Sequence, residues 1–169
     1  MLTVHEGDTA IELSVADVMK YHGPGYPGGV AHAYLALQQA LVSLGPVQRR
    51  EVVVRTAFPG PGGRDALEMA LRAVTDERYT VDSGLARPDR GVTLARYVWQ
   101  FGYRGHEVTV QLRDGGFVTS EFIELGATSG RTAEQEARLV VLKQEMTDRL
   151  LAAGPGEAYE TVEVQAAAS

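Results

Sequence analysis

The chain has 169 residues, with 16 Lys or Arg against 22 Asp or Glu and a formal net charge of −6 at pH 7. This length is sufficient for one domain with one hydrophobic core, and the acidic balance argues against binding to nucleic acid. No apolar run approaches the ~20 residues that span a bilayer, and residues 1–13 lack the pattern of a secretory signal. The absence of cysteine excludes disulfides, thiolate metal ligands and thiol nucleophiles. We expect a cytoplasmic protein that binds neither nucleic acid nor membranes.

The first predicted helices flank a loop rich in Gly and Pro. Ser14 and Asp17 are typical of a helix start, so residues 15–21 are predicted to form a short helix that ends where the loop begins, at His22. Apolar residues at helical spacing over 29–44 predict a second helix packed against the core. The polar side of that helix is predicted to carry His32, Gln39 and Ser43.

A strand and a second Gly/Pro loop come next. The β-branched run over 51–58 predicts a buried strand, which ends at the Pro-Gly-Pro-Gly-Gly segment 59–63. A helix is predicted over 64–74 because its apolar residues recur at helical spacing. Residues 79–83 are consistent with a short strand.

Aromatic residues alternate with other residues from Tyr97 to Tyr103, a period of two that predicts a strand with one aromatic face. Such a row is more often sheet core than a platform for a ligand. Residues 107–112 are predicted to pair with it as a second strand, and a third strand of the same antiparallel meander is predicted before residue 125.

The carboxyl-terminal part is predicted to be mainly one long helix over 131–153, because Thr132 and Gln135 form a capping-box pattern. An edge strand is predicted over 160–164 and a frayed tail over 165–169. The order of elements predicts an α+β fold, in which a helix, a strand and a helix precede the meander on a mixed sheet with packed helices. We expect a single domain over residues 1–164.

His22 is the first candidate for a functional residue. An imidazole titrates near neutral pH and serves as an acid, a base or a metal ligand, although a histidine at a helix end also binds free carbonyls. Asp65 opens the helix after the second loop, where a carboxylate also interacts favourably with the helix dipole. If the two glycine-led helix starts lie side by side, their free N–H groups suit a carboxylate or phosphate.

The other candidates surround these two residues. Tyr26 is expected to direct its phenol into the pocket or to pack over the neighbouring helix. His32 is expected at the surface or in an interface, or else facing the same pocket as His22. His5, in an expected mobile end, and His106, in an expected turn, are assigned no role. The predicted ligand-binding residues are Gly25, Gly28, Gly62, Gly63, Arg64 and His32.

Two segments carry a resemblance to a known family. Residues 22–28, His-Gly-Pro-Gly-Tyr-Pro-Gly, resemble the His-Gly-His-x-Cys-Pro-Gly signature of proteins similar to the E-type subunit of formylmethanofuran dehydrogenase. Residues 62–67, Gly-Gly-Arg-Asp-Ala-Leu, resemble that family's Cys-Gly-x-Asp-Ala segment. The resemblance covers about residues 15–112, within a family-like core of 14–125. It implies an α+β scaffold that often dimerises and a metal, typically zinc, held by His and Cys.

By position, His22 and Asp65 match the family, whereas Pro24 replaces the second histidine and Tyr26 and Gly62 replace cysteines. The leading hypothesis is therefore a cysteine-free member that binds a small organic molecule, anions included, and uses metal-independent acid–base chemistry, as a lyase, isomerase or hydrolase. In it His22 is the acid or base, Asp65 orients His22 or the substrate, and Tyr26 donates a hydrogen bond to a developing oxyanion.

Two alternatives remain open. In one, His22, His32 and Asp65 form an open site for zinc or another divalent metal, with water as the fourth ligand. In the other, the protein is a non-catalytic homodimeric binding or accessory module, whose aromatic strand and long helix contact a partner.

Overall fold

The computed structural model describes residues 1–166, which form an α+β fold with a long helix near the carboxyl end, as the sequence predicts. No helix in this range is long and apolar enough to cross a membrane. The helices are α1 (Val15–His22), α2 (Pro27–Leu44), α3 (Pro61–Leu71), α4 (Ser120–Ala127), α5 (Ala133–Ala153) and α6 (Pro155–Ala158). The strands are β1 (Leu2–Glu6), β2 (Thr9–Leu13), β3 (Val53–Thr56), β4 (Tyr79–Val81), β5 (Val98–Tyr103), β6 (His106–Leu112) and β7 (Tyr159–Ala166).

The main sheet is mixed and has the strand order β4-β3-β5-β6-β7. β3 and β4 are parallel, with α3 as the crossover between them, and every other neighbouring pair is antiparallel. The aromatic alternation in β5 places Trp99 and Phe101 in the core, where both are fully buried. The inner face of the sheet packs against α2, which is the central helix of the fold.

The helix starts predicted at Ser14 and at Thr132 are both present, and each has a capping box. The Ser14 hydroxyl accepts a hydrogen bond from the backbone N–H of Asp17, and the Asp17 carboxylate accepts one from the backbone N–H of Ser14. Thr132 and Gln135 make the same reciprocal pair at the start of α5. These local bonds satisfy N–H groups that a helix start leaves unpaired, which is why the sequence locates both starts well.

The amino-terminal segment is a hairpin rather than the mobile end expected around His5. β1 and β2 pair over five residues each, and the His5 backbone N–H donates to the carbonyl of Val47 at 2.9 Å. Leu2 and Val4 are buried in the main core. The apolar contacts of Leu2 and Val4 with core residues that are distant in the sequence hold the hairpin in place.

The predicted three-strand meander is wrong in its last strand. After β6 the chain runs into α4, whose start is capped by the Thr119 hydroxyl, and not into a strand before residue 125. The neighbour of β6 is β7, which pairs with it in antiparallel register from Leu112↔Tyr159 to His106↔Ala166. The predicted edge strand is thus present but longer, and residues 165 and 166 of the expected frayed tail belong to it. Residues 167–169 lie outside the described residues.

The predicted polar side of α2 is also wrong in part. His32 is fully buried and Gln39 is half-buried, with its amide 3.3 Å from the Thr161 hydroxyl, whereas Ser43 is exposed. α5, α6 and β7 pack against this side of the helix. Elements more than 85 residues away in the chain therefore cover a face that the local pattern leaves open.

Candidate functional site

The two Gly/Pro loops lie side by side and lead into α2 and α3. Each of these helices begins with the same tripeptide, Pro-Gly-Gly, at 27–29 and 61–63. A Cβ atom on Gly62 would lie 2.5 Å from the Tyr26 carbonyl oxygen and 2.9 Å from the Val30 nitrogen. The two helix starts therefore touch through their backbones, which only glycine permits at this point.

His22 and Asp65 are brought together by the packing of α1 against α3. Nδ1 of His22 lies 2.8 Å from Oδ2 of Asp65, and the His22 side chain is only 6% exposed. Asp65 lies in the first two turns of α3 and is also 3.5 Å from the Arg64 guanidinium. The structure thus joins the last residue of α1, which was predicted to begin the first loop, to an aspartate in α3.

The contact with Asp65 determines the state of the other nitrogen of His22. A carboxylate only accepts hydrogen bonds, so the bond to Asp65 requires the proton of a neutral His22 on Nδ1 and leaves a lone pair on Nε2. Nε2 is buried and has no hydrogen-bond partner within residues 1–166. An oriented imidazole with an unpartnered acceptor nitrogen is the arrangement that a general base requires.

Tyr26 and Lys143 form the next part of the site. The Tyr26 ring centroid is 6.0 Å from that of His22, and the Lys143 ammonium lies 4.3 Å from the Tyr26 centroid in a cation–π contact. The ammonium also donates to the Gly25 carbonyl at 3.3 Å. Partial burial lowers the pKa of Lys143, because desolvation disfavours its charged form.

A cavity of about 550 Å³ opens between the two loops, the segment before β5, and helices α4 and α5. Tyr26, which is about half exposed, forms part of its wall. No carboxylate occurs among the described residues that line it, whereas two basic residues do. The lining includes Tyr26, Gly28, Gly29, Phe58, Gly62, Arg96, Tyr97, Phe122, Ile123, Lys143 and Met146.

His32 lies behind the wall of the cavity and not in it. Its Nδ1 shares a 2.7 Å hydrogen bond with the Tyr159 hydroxyl, and its ring centroid is 4.4 Å from that of Tyr97. Within the part of the chain that the structure describes, no three His, Asp or Glu side chains are grouped closely enough to hold a metal ion. The three-ligand set of His22, His32 and Asp65 is therefore not assembled, because His32 belongs to the aromatic core.

Burial of His32 makes stability sensitive to acid. Desolvation lowers its pKa from 6.5 to about 3, so the unfolded chain binds the proton more tightly than the folded protein. The resulting stability is fully present above the unfolded pKa and is lost as the pH falls from 6.5 towards about 3. We expect a slope of up to about 1.4 kcal/mol per pH unit from this group.

Urea denaturation of the wild type and of His32→Asn across this pH range checks the expectation. Asparagine can keep a polar contact with Tyr159 but does not titrate, so the variant should show the shallower pH dependence of unfolding free energy. His106→Gln, at an exposed position, is the matched control and should keep the wild-type slope. Equal slopes for wild type and His32→Asn would contradict the assignment.

The remaining predicted residues have different positions. Gly28 and Gly62 line the cavity, and Gly25 binds Lys143 through its carbonyl. Gly63 packs against Phe58, since a Cβ atom there would be 3.0 Å from that ring, and Arg64 is exposed beside Asp65. The sequence predictions missed Lys143 and Arg96, the two basic residues of the cavity. Lys143 is one of two lysines in the chain, the other being Lys20, but this count does not distinguish a site residue from a surface one.

The chain matches no protein-family model, and a search of curated proteins returned no significant match.

Proposed function

We propose that the protein is an enzyme that binds a small organic anion in the cavity between the two Gly/Pro loops and acts on it by acid–base chemistry. The observation that carries the proposal is the His22–Asp65 pair, in which the His22 side chain is buried and its ring lies 6.0 Å from that of Tyr26, a residue of the cavity wall. Neither His22 nor Asp65 is among the described residues that line the cavity. The positive charge of the cavity supports an anionic ligand.

In this proposal His22 takes a proton from the substrate or returns one to it. Asp65 holds the imidazole in the required tautomer and stabilises the imidazolium that forms, as the carboxylate does in other His–Asp pairs. The Tyr26 phenol and the N–H groups at the two helix starts are available to an oxyanion. Neither start has a side-chain cap among residues 1–166, so these donors are not already occupied in that way.

Membership of the family of proteins similar to the E-type subunit of formylmethanofuran dehydrogenase is also a proposal, as are the homodimer that it implies and a cytoplasmic location. The adjacent loops and the His22–Asp65 contact support it, because both of its sequence segments meet at one site. The missing cysteines leave two candidate ligands, one imidazole and one carboxylate, on these segments. Two such ligands are fewer than zinc sites use, which favours the metal-independent form of the proposal.

A thermal-shift screen with organic acids, phosphate esters and matched neutral compounds tests ligand binding. We expect some anions to raise the melting temperature of the wild type, because a ligand that binds only the folded state stabilises it. Gly126→Phe should abolish these shifts, since Gly126 lines the cavity and an added Cβ meets no described atom within 4 Å.

Ala137→Leu, which enlarges an exposed side chain of α5, is the matched control and should keep the shifts. Zinc, nickel and iron salts belong in the same screen, with elemental analysis of untagged protein. No stabilisation by any anion, or equal shifts in Gly126→Phe, would refute the proposed pocket. Stoichiometric metal would replace the metal-independent form with the metal alternative.

A further inference from the structure

The two basic residues of the cavity differ from most others in the chain. Most arginines are paired with a carboxylate within 4.0 Å, as are Arg55 with Asp82 and Arg138 with Glu121. Within residues 1–166, neither Lys143 nor Arg96 has such a partner. In a protein with a net charge of −6, the cavity therefore holds positive charge that no ion pair within residues 1–166 neutralises.

Lys143 is also held in position. Its ammonium lies over the Tyr26 ring and uses one N–H on the Gly25 carbonyl, so up to two donors remain for a ligand. Because the side chain is partly desolvated, a hydrogen bond from this ammonium to an anion is stronger than it would be at the open surface.

Another part of the cavity wall is aromatic and apolar. Phe58 and Tyr97 both line the cavity and stack with centroids 5.4 Å apart and planes 30° apart. Behind them lie Trp99, 5.5 Å from Phe58, and the buried His32. Phe122 adds a third ring from α4. A wall of fixed, stacked rings favours a flat apolar group as its ligand.

We propose that the cavity is specific for an amphipathic carboxylate, an aromatic ring or comparable flat apolar group joined to one carboxylate, with Lys143 binding the carboxylate and Phe58 and Tyr97 the ring. The proposal of this ligand class depends on the pocket of the proposed function, but it does not depend on the acid–base chemistry proposed for His22. Arg96, exposed at the rim, adds positive charge for attracting the anion.

The probe is 3-phenylpropanoate, with its amide, propanoate and inorganic phosphate as matched compounds. Calorimetry or the fluorescence of Trp99, the only tryptophan, measures binding. We expect 3-phenylpropanoate to bind about tenfold or more tightly than the amide, which lacks the charge, and than propanoate, which lacks the ring. No binding of 3-phenylpropanoate, or equal binding of its amide, would overturn the proposal. Preferential binding of phosphate would assign the site to a free oxyanion instead.

Lys143→Met should weaken binding of 3-phenylpropanoate about tenfold or more, and Lys143→Arg by less, because arginine keeps the charge. Lys20→Met, at an exposed position of α1, is the control and should bind as the wild type does. Unchanged affinity in a folded Lys143→Met variant would contradict the assigned contact.

Acetylation of the wild type adds a readout that does not depend on a variant's folding. With only two lysines in the chain, mass spectrometry can follow the Lys20 and Lys143 amines separately from each other and from the α-amino group. The probe should slow acetylation of Lys143 and leave Lys20 unaffected; equal rates with and without bound probe would count against the contact. His22→Gln should still bind 3-phenylpropanoate. A wrong assignment of the base therefore leaves binding of the probe intact, whereas a wrong ligand class is seen as a loss of binding in the wild type as well.

Discussion

Replacing His22 by glutamine is expected to lower the turnover of a substrate bound in the cavity by about 10²–10⁴-fold, the usual contribution of a positioned acid or base. Glutamine keeps the size and polarity of the side chain and can still contact Asp65, but it has no titratable nitrogen. The ground-state affinity for the substrate should change little. Steady-state kinetics with a compound from the thermal-shift screen, comparing kcat with KM, provide the measurement.

Asp65→Asn is the companion variant. The asparagine amide can donate a hydrogen bond to Nδ1 of His22, which would place the proton on Nε2 and remove the lone pair that acts as base. We therefore expect a large loss in kcat here too, with a double variant scarcely worse than either single one. His106→Gln, which changes an exposed histidine, should be fully active. Wild-type turnover in His22→Gln would refute the proposed base.

Gly62→Ala is expected to destabilise the protein by about 1–3 kcal/mol, the usual effect of forcing an extra carbon into a packed region. The new Cβ atom would lie 2.5 Å from the Tyr26 carbonyl oxygen and 2.9 Å from the Val30 nitrogen. Both are backbone atoms, so α2 and α3 must separate to admit it. Helix propensity alone favours alanine over glycine by about 1 kcal/mol, so the two effects have opposite signs. The separation should also weaken ligand binding.

Gly126→Ala is the matched control, since Gly126 is also a helical residue lining the cavity, and its added Cβ meets no described atom within 4 Å. In Gly126→Ala the higher helix propensity of alanine is not opposed by a clash, so we expect an unchanged or slightly higher free energy of unfolding. Urea denaturation of both variants gives the two free energies of unfolding. The packing explanation fails if Gly62→Ala is as stable as Gly126→Ala.

The features predicted well from the sequence are those that neighbouring residues determine. The capping boxes at Ser14 and Thr132 involve groups three residues apart. The alternation of aromatic and other residues in β5 predicts that one face of the strand is buried, as it is. The helices after the two Gly/Pro loops are predicted less well, because α2 and α3 begin at Pro27 and Pro61, two and three residues before the predicted starts at 29 and 64. The meeting of His22 with Asp65, however, has no local signal, because 43 residues separate them. The sequence offered it only as a possibility, if the two glycine-led helix starts lie side by side.

The features that the sequence did not predict depend on distant parts of the chain. The burial of His32 requires Tyr159, 127 residues away, and the position of β7 beside β6 replaces a strand that the local turn signals favoured. Lys143 reaches Gly25 from 118 residues away. Periodicity assigns a residue to a face of its own helix, but it does not identify which element will cover that face. The basic side of the cavity was missed for this reason.

The imidazole ¹⁵N spectrum of His22, recorded with and without 3-phenylpropanoate, is the most direct test of the site. The chain has four histidines, so His22→Gln assigns the signal without ambiguity. Because Nδ1 faces the Asp65 carboxylate, we expect it to carry the proton of the neutral ring, Nε2 to be unprotonated, and the Nε2 resonance to shift when the carboxylate binds. A proton on Nε2, or an Nε2 resonance that stays fixed while the Lys143 signal moves, would contradict a His22 base that serves this cavity.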